Sequence, residues 1–211
     1  IDALSTIDDE TGMTGALGLK GGFFSGEIFL NLDTEDDADL SIGCAGGVDV
    51  TSTVTYEMVT IQAGVIQMNV QLKGGSGGHS GMDIHKGIAN ANKLMNRMLI
   101  EALGEVDFRL VSIEGGGLRN AIPRESSAQL VLAPEDETDL KAALVSSFQA
   151  IKLEYETTDP ELNFTCSSTN ATATSAMNEE DQLGLLMAIQ TCPVGIHRMS
   201  PDIPNLVQTS N

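Results

Sequence analysis

The chain has 211 residues, 41% of them apolar and 4% aromatic, with no Trp, and its mean hydropathy is +0.01. Thirty acidic residues against eleven basic ones give a net charge of −19; such a field repels phosphate backbones and anionic lipid surfaces, which excludes nucleic acid and disfavours a membrane as partner. No apolar run approaches the roughly 18 residues of a membrane span.

The chain opens on Ile1 with no basic region ahead of an apolar run, so no signal peptide is expected and the N-terminus reads as cut. Residues 1–7 form a short apolar run closed by Asp8-Asp9-Glu10. A turn at Thr11-Gly12 and a short helix over 13–19 follow. Residues 27–32 predict a second strand ending at Asp33, residues 34–39 an acidic loop, and residues 40–44 a third strand. From 50 to 73 apolar residues alternate, which predicts half-buried antiparallel strands.

Residues 74–81 (GGSGGHSG) read as an exposed, mobile glycine loop. Ile88, Ala91, Leu94, Met95, Met98, Leu99 and Ala102 recur at helical spacing and predict a helix over 84–103, closed by Gly104. Strands are expected over 108–113 and 127–132, a helix over 134–153 with Pro134 in its first turn, and a strand over 162–166. Asn178 caps a third helix running to 189, and 194–199 is a last strand candidate. The middle order is strand, helix, strand, strand, helix, strand. That is a ferredoxin-like antiparallel sheet with two helices. Residues 1–47 belong to a different, α/β layer, so the expected organisation is a partial catalytic segment over 1–47 and a lid or dimerisation domain over 48–211.

Cys44, Cys166 and Cys192 are widely spaced and match no zinc-finger pattern. They read as reduced, mostly buried thiols of a cytoplasmic protein. Three adjacent carboxylates at the end of an apolar strand repel one another unless a cation binds them. Were the first two strands parallel neighbours, Asp33 would join Asp8, Asp9 and Glu10 in a divalent-metal site; equally, acidic residues may simply begin loops. His79 in Gly-Gly-His-Ser-Gly has no apolar neighbour. It is either a solvated loop histidine or a donor that moves in with a lid. Asn120 follows a glycine turn and is either a turn residue or a donor to a ligand. Arg198, in GIHRMS, either pairs within this acidic chain or binds a carboxylate bidentately.

Taken in order, Asp8-Asp9-Glu10-Thr11-Gly12-Met13-Thr14-Gly15-Ala16, Asn31-Leu32-Asp33-Thr34-Glu35-Asp36, Ile42-Gly43-Cys44-Ala45-Gly46-Gly47, Gly77-Gly78-His79-Ser80-Gly81 with Ile84-His85, Asn90-Ala91-Asn92-Lys93-Leu94, Arg119-Asn120-Ala121-Ile122-Pro123-Arg124-Glu125 and Arg198-Met199-Ser200 run along nearly the whole chain. With these motifs the sequence resembles the aminoacyl-histidine dipeptidases, dinuclear zinc enzymes that cleave Xaa-His dipeptides such as carnosine. The resemblance implies that Glu10 and Asp33 are zinc ligands and that Asp9 stands at the general base. The family base is normally Glu, so Asp9 is a departure one methylene short. It further implies that His79 polarises the scissile carbonyl, from the partner subunit in dimeric relatives, and that Asn120 and Arg198 engage the substrate, Arg198 at its C-terminal carboxylate.

The family's His-x-Asp motif, bridging Asp and final His have no counterpart in these residues. The expectation is therefore an internal piece that binds zinc poorly and is inactive alone, dimerising through its lid. Two rival readings are a non-catalytic dimerisation module and a related tripeptidase or N-acyl amino acid hydrolase.

Overall fold

The computed structural model describes residues 2–9, 12–33, 38, 40–41, 43–170 and 173–211. The chain divides into two units, Ile1–Ser52 and Thr53–Asn211.

In the first unit the one regular element among the described residues is a single helical turn, α1 (Thr14–Leu17). It is anchored on Asp8, whose carbonyl accepts from the amides of Gly12 (3.2 Å) and Met13 (2.6 Å) and whose carboxylate accepts from the Thr14 hydroxyl at 2.7 Å. The expected strand over 27–32 does not form. A strand needs a partner for its amides and carbonyls, and none of the described residues of this unit is strand-paired; Ile28, Phe29, Leu30 and Leu32 lie exposed. The described parts of 1–7 and 40–44 are likewise without strand.

In the second unit the elements are β1 (Met58–Thr60), β2 (Ile66–Lys73), α2 (Ala91–Leu103), β3 (Arg109–Gly115), β4 (Ser126–Leu132), α3 (Glu137–Glu154), β5 (Asn163–Asn170), β6 (Ser175–Met177), α4 (Glu179–Thr191), β7 (Ile196–Met199) and β8 (Val207–Ser210). Four strands form an antiparallel sheet in the order β3-β4-β2-β5. In that order β4 lies between β2 and β3, the two strands that α2 joins. This is the expected ferredoxin-like arrangement.

Period two divides the sheet's faces. Met68, Val70 and Leu72 of β2 and Ala128, Leu130 and Leu132 of β4 are buried, together with Leu94, Met95, Met98, Leu99 and Ala102 of α2 and Leu140, Leu144 and Ile151 of α3. On the opposite face the rows Ser167–Asn69–Gln129 and Thr165–Gln71–Ser127 are polar.

Three expectations shift. The helix predicted over 84–103 is a 3₁₀ turn at Ile84–Lys86 followed by Gly87 at φ 65°, and α2 begins only at Ala91. Its cap is Asn90, whose side chain accepts from the amides of Asn92 and Lys93. Of the alternating stretch before β2, only Met58–Thr60 is strand, and it pairs with β6 rather than joining the main sheet. The strand expected at 194–199 forms as β7 and finds a partner in β8, beyond a connection that holds Pro201 and Pro204. Asn178 caps α4 as predicted, accepting from the Asp181 amide at 2.8 Å.

Candidate active site

The glycine loop after β2 is held, not mobile. Residues 75–80 run antiparallel to residues 120–124. Gly75 N–H donates to Arg124 O (3.1 Å), Ile122 N–H to Gly78 O (2.9 Å) and Ser80 N–H to Asn120 O (2.7 Å). A β-bridge joins His79 to Ala121. The glycines are there for close approach. A Cβ on Gly77, which sits at φ 64°, would lie 2.2 Å from Arg124 Nε, and one on Gly78 would lie 2.8 Å from the Asp83 side chain. His79 and Asn120, far apart in sequence, thus share one two-stranded ledge.

On that ledge the imidazole is half-buried and oriented by its own loop. Gly81 N–H (3.0 Å) and Met82 N–H (3.1 Å) both donate to His79 Nδ1. Two donors on Nδ1 require its lone pair, so the ring proton resides on Nε2. His79 is therefore presented as an Nε2–H donor. Its backbone N–H donates to Asp83 Oδ2 at 2.7 Å. Lys86, 2.6 Å away, and then the His79 amide hold the Asp83 carboxyl below the usual carboxylate range. The sequence reading missed Asp83; a carboxylate four residues after a loop histidine was the available signal.

Beside the ledge opens a cavity of about 720 Å³, lined by Ser80, Ile84 and Ile88, the first turn of α2, residues 115–119, and Gly195 and Asn211 at the base of the β7–β8 hairpin. Ile84 and Ile88, whose spacing read as helix, are half-buried in this wall. Arg198 is exposed on β7 and paired with Thr209 of β8, three residues beyond Gly195 and outside the cavity lining.

Of the carboxylates in the first unit, Asp9 and Asp33 are exposed, and Glu10 lies outside the described residues. The Asp33 amide donates to Asn31 Oδ1 at 2.9 Å. The strands expected to align these side chains do not form. Among the described residues no group of three or more His, Cys, Asp or Glu side chains converges to hold a metal ion. Cys44 and Cys192 are exposed and Cys166 half-buried, which corrects the expectation of mostly buried thiols. All three are free, and burial pushes the Cys166 thiol up to about 11, leaving it protonated near neutral pH. Among the described residues no helix is long and apolar enough to cross a membrane.

Three of the four sheet strands, β2, β3 and β4, with both helices α2 and α3, fall within residues 60–159, which match the model of the peptidase dimerisation domain of the M20 type. The whole chain is 36% identical to the cytosol non-specific dipeptidase of Escherichia coli (strain K12), covering 100% of this chain and 43% of that protein. The crystal structure of aminoacylhistidine dipeptidase from Vibrio alginolyticus superposes with a TM-score of 0.77 at 38% identity, over 97% of this chain and 42% of that one. The chain thus spans less than half the length of either relative.

Proposed function

We propose that this chain is part of a zinc-dependent dipeptidase that hydrolyses dipeptides, Xaa-His dipeptides such as carnosine among them. The likeness to two dipeptidases along the full chain supports the reaction class. The observation that carries the lid's role is the fixed Nε2–H tautomer of His79. An imidazole that accepts at Nδ1 and donates from Nε2 suits a carbonyl oxygen that gains negative charge during hydrolysis.

In this reading a dinuclear zinc site would supply an activated water; Glu10 would hold one zinc and Asp33 the other, with Asp9, next to Glu10, as the base. His79 donates from Nε2 to the substrate carbonyl. Asn120, on the same ledge, contributes its side-chain amide to the substrate, and the guanidinium of Arg198 takes the C-terminal carboxylate bidentately. The protein acts in the cytoplasm as a homodimer through the dimerisation domain, and residues 1–211 alone are inactive.

In the full-length protein, His79→Ala is expected to lower kcat by about 100-fold or more, the usual loss for one oxyanion donor, with metal content unchanged. Wild-type kcat would return His79 to a solvated loop. The match to a dimerisation domain also favours a second reading, a non-catalytic pairing module. A panel of dipeptides and N-acyl amino acids assayed on the full-length protein separates the two: turnover of neither leaves pairing as the function, and turnover of N-acyl amino acids alone moves the assignment to an acylase.

A further inference from the structure

Asp159 is fully buried, in a turn after α3 that reads in sequence as an ordinary Asp-Pro corner. Its carboxylate serves two distant points of the chain. Ser76 N–H donates to Oδ1 at 2.7 Å, and Ala89 N–H donates to Oδ2 at 2.9 Å. The neighbouring carbonyl, Thr158 O, accepts from the Ser76 hydroxyl at 2.7 Å. The carboxylate is itself fixed to the scaffold, because the Asp159 amide donates to Tyr155 O at the end of α3 (2.8 Å) and its carbonyl accepts from Leu162 N–H (3.0 Å).

Ser76 and Ala89 are the two ends of the loop that carries His79. One buried carboxylate therefore pinches that loop at its neck, three residues from the histidine on one side and two residues from the first turn of α2 on the other. A charged acceptor in so dry a place is retained only because both its oxygens are bonded.

We propose that Asp159 is a positioning residue for His79: it sets the reach of the imidazole by closing the neck of its loop. The proposal rests on the reading of His79 as the carbonyl donor. An Asn at 159 keeps the shape but turns an NH₂ toward one of the two amides, so one donor loses its acceptor and one side of the neck opens. Small displacements of a reacting group cost on the order of 100-fold in rate.

The test is a double-mutant cycle in the full-length enzyme, with kcat and KM on a dipeptide, metal content and thermal midpoint measured for each protein. Asp159→Asn is expected to lower kcat by about 10- to 100-fold while KM and metal content stay near wild type. In the His79→Ala background the same substitution should lower kcat no further. Hydrogen exchange at the Ser76, Ala89, Gly81 and Met82 amides should quicken in Asp159→Asn. Wild-type kcat in folded Asp159→Asn overturns the proposal, as does an equal fall with and without His79, which would make Asp159 merely structural. Wild-type kcat in His79→Ala alone would instead sink the histidine reading on which the proposal stands. Should Asp159→Asn fail to fold, Ser76→Ala takes its place in the cycle, cutting only the hydroxyl bond to Thr158; a fall of about threefold that vanishes without His79 supports the proposal, and no fall overturns it.

Discussion

Gly74 opens the loop that carries His79, and alanine there is a severe test of how the loop is held. The residue sits at φ 82°, and an added Cβ would lie 2.1 Å from Glu161 O, 2.8 Å from Glu161 C and 3.0 Å from Asn163 Nδ2. Two costs add. A left-handed backbone costs a non-glycine residue about 1–2 kcal/mol, and overpacking against a backbone carbonyl that cannot rotate away costs about 1–3 kcal/mol. Gly74→Ala should therefore destabilise the second unit by about 2–5 kcal/mol. With a urea dependence of about 2 kcal/mol per molar, the midpoint drops by about 1–2.5 M. Gly117→Ala is the matched control. No atom lies within 4 Å of its added methyl and its φ is not positive, so its stability should stay within about 1 kcal/mol of wild type. Urea titration of the three proteins by circular dichroism decides the matter. Equal midpoints for Gly74→Ala and wild type would show that the loop is free to move aside, and the account of a rigid ledge would fall.

Arg97 of α2 donates to Glu101 Oε1 (3.0 Å) and to both carboxylate oxygens of Glu154 on α3 (2.9 and 2.7 Å). Those bonds hold the Glu154 carboxyl below its usual value of 4.5. A depressed carboxylate stabilises the fold above its unfolded pKa and ceases to do so as pH falls through the folded value. Arg97→Met should then cost about 0.5–1 kcal/mol near pH 7, screened by salt because the pair is partly exposed, and progressively less as pH falls below about 4.5 through the lower folded value, read from thermal melts across pH. Asn178→Ala removes the α4 cap and should cost about 1 kcal/mol in chemical denaturation; no change would mean that water replaces the cap freely. In the full-length enzyme, Asp9→Glu should keep or raise turnover, and a large loss of kcat removes Asp9 from the base position.

The sequence showed the helix faces because their burial is a local, periodic property. Leu94, Met95, Met98, Leu99 and Ala102 were all read as one face of α2, and all are buried. The start of α2 was misread because Ile84 and Ile88 happen to continue the helical period while serving the cavity wall. Gly87 and Asn90 were the local signals against that reading. For the site, His79 and Asn120 could be named from their motifs, but their shared ledge could not. It depends on hydrogen bonds between segments some forty residues apart, and no pattern within either segment encodes them. Asp159 was invisible for the same reason: its partners lie 83 and 70 residues away, and a turn aspartate is the commonest local explanation of such a residue. The strands expected in the first unit failed because alternation or apolarity marks a candidate, whereas a pairing neighbour makes a strand.

The first turn of α2 has a consequence for how the lid can vary. Ala89, just before it, is tied to Asp159, and Ala91 N–H donates to Pro123 O at the end of the Asn120 segment. Lys93 Nζ donates to Ile189 O, Gln190 O and Cys192 O, where α4 ends and the chain departs toward the Arg198 hairpin. The three segments proposed to meet the substrate are thus moored to the same five residues. The His79 and Asn120 segments are also bonded to each other along the ledge and vary together, whereas the Arg198 hairpin is moored apart from them through Lys93 and can be lengthened, shortened or recoloured at its tip separately. Changes at the hairpin tip can then occur while the mooring stays constant, and a substitution at Lys93 would disturb the approach to the hairpin that carries Arg198.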